Sequence, residues 1–217
     1  MMPATYRDRG KRVLDLVLAG SVALVTAPLH AMCAVAVRIT SGPPVYFKQE
    51  RSGRDGVPFD IIKFRTMTVG THEASGGYPQ PAAVTSVGHW LRRTSLDELP
   101  QLINILRGDM SLVGPRPALP SQAVRYTDRQ RQRLSVRPGL TGLAQVEGRN
   151  HAPWSRRIES DLRYIERMSF LEDLRIMIMT VPAALGGSGQ EVGQTAEDVD
   201  DLSPVRLAPL GWPARDV

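Results

Sequence analysis

The sequence is short of the residues that build many catalytic centres. Its 217 residues include a single cysteine, Cys33, set inside an apolar run. That excludes a disulfide framework and a thiolate metal cluster, and it fits a packing residue in a reducing compartment. The four histidines, His30, His72, His89 and His151, are scattered. None stands at metal-ligand spacing from another histidine or from Cys33, which argues against a zinc site. Glycine-rich phosphate loops of the nucleotidase and dinucleotide types are absent, and Gly186-Gly187-Ser188-Gly189 reads as a linker. Aromatic residues amount to 6% and form no array interleaved with Lys and Arg, so nucleic acid is not an expected partner.

Charge is modestly one-sided, 27 Lys+Arg against 22 Asp+Glu for a net +5. This implies anionic partners such as phosphates or phospholipid headgroups, between which charge alone does not choose. The length and the 42% hydrophobic share suit one domain with appendages.

Residues 13–37 are nearly all apolar, interrupted mainly by Asp15, His30 and small polar residues, and are long enough for a membrane helix. Arg7, Arg9, Lys11 and Arg12 precede the run and Arg38, Lys48, Arg51 and Arg54 follow it. Basic flanks prefer the cytoplasmic side, so both ends favour the same face of a membrane. Pro28 lies near the middle, where it lacks an N–H and clashes with the preceding turn, and Thr26 is placed to serve a freed backbone group. The reading is a re-entrant helix-break-helix over residues 12–40 with its break at Ala27-Pro28. A straight span and a buried helix are the alternatives. Asp15 and the basic stretch after the run argue against a cleaved export signal.

Residues 45–50 and 58–64 read as strands of a hairpin around Arg51-Ser52-Gly53-Arg54-Asp55-Gly56. A loop is expected over 69–86, then helices over 87–93 and up to Leu106, stopped at Gly108. Leu112-Val113 and residues 143–146 are short strand candidates. Two later helices enter at Pro153 and at Ser169, the second with Glu172 completing a capping box. The second is apolar on every side, so it must be buried or lie against lipid. Beyond Leu185 periodicity ends, and the tail over 186–217 is expected to be disordered. The fold class is therefore α+β: a basic segment over 1–11, the membrane helix, and a mostly helical catalytic domain over 41–185 with a small hairpin.

The chemistry concentrates in residues 89–117, HWLRRTSLDELPQLINILRGDMSLVGPRP. Ser95 and Glu98 have capping-box spacing. Pro100 suits a first helical position, so in either register Asp97 and Glu98 stand at a helix N-terminus, where anions are favoured and Asp97 should stay ionised. An ionised carboxylate can attack phosphorus if the phosphate charge is offset. Magnesium, bound by Glu98 with Asp97 and substrate phosphates, is the expected offset. By spacing alone a simple cap remains the stronger reading. Arg92, Arg116 in Gly-Pro-Arg-Pro and Arg149 in Glu-Gly-Arg-Asn supply phosphate-matching forks, each otherwise a surface residue. Lys63, between the apolar Ile62 and Phe64 of a strand, points either into a cleft or to solvent.

Four ordered motifs, KRVLDLVLA with its proline-interrupted run, PPVYFKQERSGRDGVPFDIIKFRTM, LRRTSLDELPQLINILRGDMSLVGPRP and VRPGLTGLAQVEGRN, make the chain resemble the bacterial sugar transferases, the small monotopic phosphoglycosyl transferases. The resemblance covers residues 11–185. It implies that Asp97 attacks the sugar-linked phosphorus of a UDP-sugar and releases UMP. The phosphosugar then passes to a polyprenyl phosphate, expected to be undecaprenyl phosphate. It further implies that Glu98 binds Mg2+, that Arg116 holds phosphate, and that Lys63, Arg92, Arg149 and Asp161 complete the site. The helices over 154–185 are expected at the lipid interface of the bacterial cytoplasmic membrane, with the catalytic domain facing the cytoplasm. The chain departs from the family in having Ala27-Pro28 where Ser-Pro is common. The competing reading from another class is a catalytically silent scaffold for glycan enzymes, with a membrane-anchored nucleic-acid-binding protein less favoured still.

Overall fold

A computed structural model describes residues 6–68, 83–148, 152–185 and 200–202. Its longest element is helix α1, Lys11–Ser41, rich in Leu, Ala and Val and long and apolar enough to cross a membrane. Helical geometry continues through Ala27 and Pro28, so the expected break does not interrupt the helix. Nor does Thr26 serve the carbonyl that Pro28 leaves without its N–H, which is that of Leu24. Its hydroxyl bonds the Val22 carbonyl instead, at 2.7 Å.

One stripe of α1, through Lys11, Asp15, Ala19, Cys33 and Val37, is buried against the domain. These positions recur at intervals that return to one helical face. The opposite face carries Val13, Val17, Met32, Val35 and Ile39 exposed, with Leu24 and Val25 at 78% and 79%. Both ends are tied to the same body. Arg12 donates to the carbonyls of Ile105 and Leu106 at 2.6 and 2.9 Å. Asp15 accepts from the Ser111 hydroxyl and the Leu112 N–H at 3.0 and 2.9 Å, which explains a carboxylate inside an apolar run. At the far end Arg65 donates to the carbonyls of Ser41 and Gly42.

The hairpin forms as the alternation suggests. Strands β1, Tyr46–Ser52, and β2, Pro58–Phe64, pair antiparallel from Tyr46↔Phe64 to Ser52↔Pro58, so β1 runs two residues past its expected end. Met67 and Val84 then bridge. Most of the loop expected at 69–86 lies outside the described residues. Helix α2, Ser86–Arg93, is capped by the Thr85 hydroxyl, which accepts from the Gly88 N–H at 3.0 Å. Helix α3, Gln101–Arg107, ends at Gly108 in the left-handed region, φ 97°, a conformation that glycine adopts without penalty.

Strand β3, Ser111–Val113, pairs in parallel with β4, Gly139–Thr141. The strand expected at 143–146 is instead a short helix. The partner of β3 lies earlier because a Cβ on Gly139 would stand 2.1 Å from the Gly114 nitrogen. Only glycine lets the two turn motifs approach so closely. Short helices α4, Pro120–Ala123, and α5, Asp128–Arg131, fill the connection, and α6 is Leu143–Val146.

Helices α7, Trp154–Arg167, and α8, Phe170–Leu185, follow, and the Ser169 hydroxyl accepts from the Glu172 N–H at 3.2 Å. They differ in what they show outward. Ile158 and Leu162 of α7 enter the core, while its outer face carries Arg156, Glu159, Glu166 and Arg167 exposed. Helix α8 exposes Phe170, Leu171, Leu174, Ile178 and Val181. Of the two helices expected at a lipid interface, α8 therefore has the apolar outer face. At its root the fully buried Asp173 receives Lys11 at 2.5 Å and the hydroxyls of Tyr6 and Tyr164, each at 2.7 Å. Within the expected tail, residues 200–202 dock. Asp200 pairs with Arg125 at 2.7 Å, and Leu202 is 5% exposed in a core cluster with Tyr126 and Leu134.

Candidate active site

Strand β2 carries Lys63 because Asn104 holds its edge. The buried Asn104 amide accepts from the Ile62 N–H at 3.0 Å and donates to the Asp60 carbonyl at 2.8 Å. A side chain of α3 thus takes the place of a neighbouring strand and pairs these two edge groups. It also fixes Lys63 opposite the turn that precedes α3.

That turn is a single 3-10 turn, Leu96–Glu98, entered through Ser95 in the left-handed region at φ 56°. The expected capping box does not form, since Ser95 makes no side-chain cap bond. Glu98 reaches away from it instead. Its Oε1 lies 2.7 Å from Lys63 Nζ and 3.4 Å from Arg116 Nη2, charge-assisted bonds that outcompete a backbone N–H.

Asp97 is 3% exposed, and Lys63 Nζ stands 4.0 Å from its Oδ2. Its other oxygen, Oδ1, is buried with no hydrogen-bond partner among the described residues. Burial raises the Asp97 carboxyl to about 6, with the neighbouring Glu98 adding to the rise and Lys63, Arg92 and Arg116 opposing it. Burial would raise Glu98 too, yet Lys63 and Arg116 outweigh it and bring that group down to about 2. The adjacent carboxylates are thereby driven apart, one settled as an anion and one poised near neutrality. Desolvation works against the Asp97 anion and outweighs any benefit from the short helix α3, so Asp97 is ionised at pH 7 only because about 6 still lies below it.

Three sequence-selected cations converge here. Lys63 and Arg116 touch Glu98. Arg92 donates to the Thr66 hydroxyl at 2.9 Å and acts electrostatically on Asp97. Arg149 lies outside the described residues. Asp161 is not brought to the carboxylates. It is buried behind them and pairs with Arg133 at 2.5 Å, while Arg133 donates to the Arg116 carbonyl at 3.0 Å. Asp161 therefore acts through Arg133 on the turn that presents Arg116. Sequence reading passed over Arg133 and Asn104, because neither belongs to a pattern that signals burial. It passed over Arg51 as a site residue too, though its guanidinium faces both Arg116 and Glu98.

Two coupled carboxylates, one with an unsatisfied oxygen, ringed by cations that a phosphate can engage, form a centre suited to phosphoryl chemistry. Comparison with known proteins agrees: the bacterial sugar transferase family matches residues 6–187. The chain belongs to that family. A sugar transferase of Bacillus subtilis named EpsL, uncharacterized, is 42% identical over 82% of this chain and 89% of its own. A UDP-glucose:undecaprenyl-phosphate glucose-1-phosphate transferase of Caulobacter vibrioides is 42% identical over 85% and 73%. The exopolysaccharide production protein ExoY of Sinorhizobium fredii is 36% identical over 80% and 84%. Family membership thus spans α1, the carboxylate turn and α8 together.

Proposed function

We propose that this family member moves a sugar 1-phosphate from a UDP-sugar to a polyprenyl phosphate, with Asp97 as the covalent carrier. The observation that carries the reading is the lone Oδ1 of Asp97, buried without a partner among the described residues and beside Glu98 and three cations. A buried unpaired carboxylate oxygen costs about 1–3 kcal/mol or more, and here the cost leaves a nucleophile bare.

Asp97 attacks the sugar-bearing phosphorus. A phosphorus–oxygen bond forms to the carboxylate and the bond to the UMP oxygen breaks, so UMP leaves with the bonding pair. A polyprenyl phosphate oxygen then attacks the same phosphorus, expelling the carboxylate and restoring Asp97. Arg116 and Arg92 hold the phosphoryl oxygens. Lys63 keeps Glu98 ionised and in place.

Magnesium fits the donor set, since it takes one or two carboxylates together with substrate phosphates and water. The Glu98 carboxylate, with Asp97 beside it, would hold it. When bound it offsets charge on the donor diphosphate.

The membrane reading rests on α1 and α8, which expose apolar faces. Because both ends of α1 are tied to one domain, a bilayer taking up its outer face meets the two ends on the same side. That arrangement suits a helix that lies in one leaflet without crossing it, with the domain at the cytoplasmic surface, the side its basic flanks favour.

Purified protein mixed with Mg2+ and a panel of UDP-sugars, without lipid acceptor, should release UMP and gain a phosphosugar mass on the peptide containing Asp97. UMP release that appears only once polyprenyl phosphate is added, with no adduct on Asp97, would replace the covalent route by direct transfer. No UMP from any donor, with or without the acceptor, would remove the reading.

A further inference from the structure

At the root of α1 a small open cleft is lined by Arg7, Lys11, Asp15, Arg54, Ser135 and Arg137. It shares no residue with the Asp97 centre. We infer that this cleft is a second anion site, built to take a phosphate group.

The charges in it do not cancel locally. Lys11 is committed to Asp173 at 2.5 Å, and Asp15 Oδ1 is taken by Ser111 and Leu112. Three guanidiniums remain with no ion pair to a buried carboxylate among the described residues, although Asp15 acts on Arg137 at longer range. Arg7 donates to the Ser135 hydroxyl at 3.2 Å and Arg137 to the Gly108 carbonyl at 2.9 Å. Arg54 meets only its exposed neighbour Asp55, at 3.3 Å. Burial first, then Arg12 and Arg54, push the Arg137 guanidinium below its usual range against the opposing pull of Asp15. Arginine forks match phosphate oxygens in pairs, and the Ser135 hydroxyl adds a donor.

The surroundings say where such a phosphate comes from. Val13 and Val17, on the far face of the same first turns of α1, are each 60% exposed. Tyr6 meets Phe170 edge-on with ring centroids 6.4 Å apart, and Phe170 and Leu171 are themselves exposed. The cleft thus sits where apolar surface gives way to polar surface, the level at which phospholipid headgroups lie. A headgroup phosphate and free phosphate share this chemistry, and the headgroup has the location in its favour.

The test uses the full chain in non-ionic detergent, titrated either with inorganic phosphate or with bicelles of phosphatidylcholine with and without phosphatidylglycerol, and reads binding and melting temperature. Phosphatidylglycerol should bind and raise the melting temperature. Arg54→Gln with Arg137→Gln should weaken that affinity about tenfold or more, as expected for loss of charge-assisted bonds, with UMP release unchanged. Arg7→Gln with Arg54→Gln serves if loss of the Gly108 contact impairs folding. An equal response to inorganic phosphate would identify the source as free phosphate. An equal loss from the charge-matched pair Arg156→Gln with Arg167→Gln, on the outer face of α7, would reduce the effect to general attraction and overturn the site. So would failure of both probes to bind.

Discussion

Asp97 shows how a single residue can be kept at a cost to the fold. Its carboxyl, ordinarily near 3.8, is raised by burial to about 6. The folded state therefore takes up a proton more readily than the unfolded chain. The penalty for the charge is absent below pH 3.8, grows between there and about 6, and is complete above it. Asp97→Asn should accordingly raise stability at pH 7 by about 1–3 kcal/mol, with the gain fading toward pH 4, as melting curves at several pH values would show. The same substitution should abolish transfer. In the wild type, the rate should rise as pH passes through about 6, where the nucleophile ionises. A flat rate between pH 5 and 8 would move the nucleophile elsewhere. Glu98, held near 2 by Lys63 and Arg116, contributes no step in that range.

Among the elements, α2 is positioned by contact with the chain leaving the hairpin. A Cβ on Gly88 would lie 2.1 Å from the Thr66 carbonyl oxygen, and the next turn of α2 brings Arg92 to the Thr66 hydroxyl. Gly88→Ala must push the helix off that backbone. We expect a loss of about 1–3 kcal/mol and, because Arg92 moves with the helix, a fall in turnover larger than any change in KM. Denaturant melts and steady-state kinetics would measure both. Helix α1 answers to the same logic over a greater length. Single cysteines at Arg9 and Arg38, in a Cys33→Ala background, should be labelled from the same side of a sealed vesicle. Labelling from opposite sides would make α1 a straight span.

Across the whole molecule, the fold is closed by ties between distant parts of the chain. Lys11, Tyr6 and Tyr164 all converge on Asp173, joining the root of α1 to the root of α8. Removing one partner of a buried pair strands the other charge, so Lys11→Met should cost about 3–5 kcal/mol. It should also loosen the protein's hold on the bilayer, which melting and vesicle flotation would register. The hairpin, the helix start at Ser169 and the end of α3 at Gly108 were legible in the sequence, because alternation, caps and turn residues are local signals, whereas only the family resemblance gathered Lys63, Arg92 and Arg116 at the two carboxylates. The strand at 143–146 was misplaced for the converse reason: only the approach of Gly139 to Gly114 decides which residues join β3.

The sequence by itself determined the chemical inventory: an apolar helix with basic flanks, adjacent carboxylates before a short helix, and arginines set in stiff turns. Tertiary structure alone decided what each group does with its charge. It put Asp161 behind Arg116 through Arg133, used Asn104 to hold the strand that carries Lys63, and left one oxygen of Asp97 without a partner. The physical reason is that desolvation and pairing depend on which distant surfaces meet, and spacing along the chain carries no record of that.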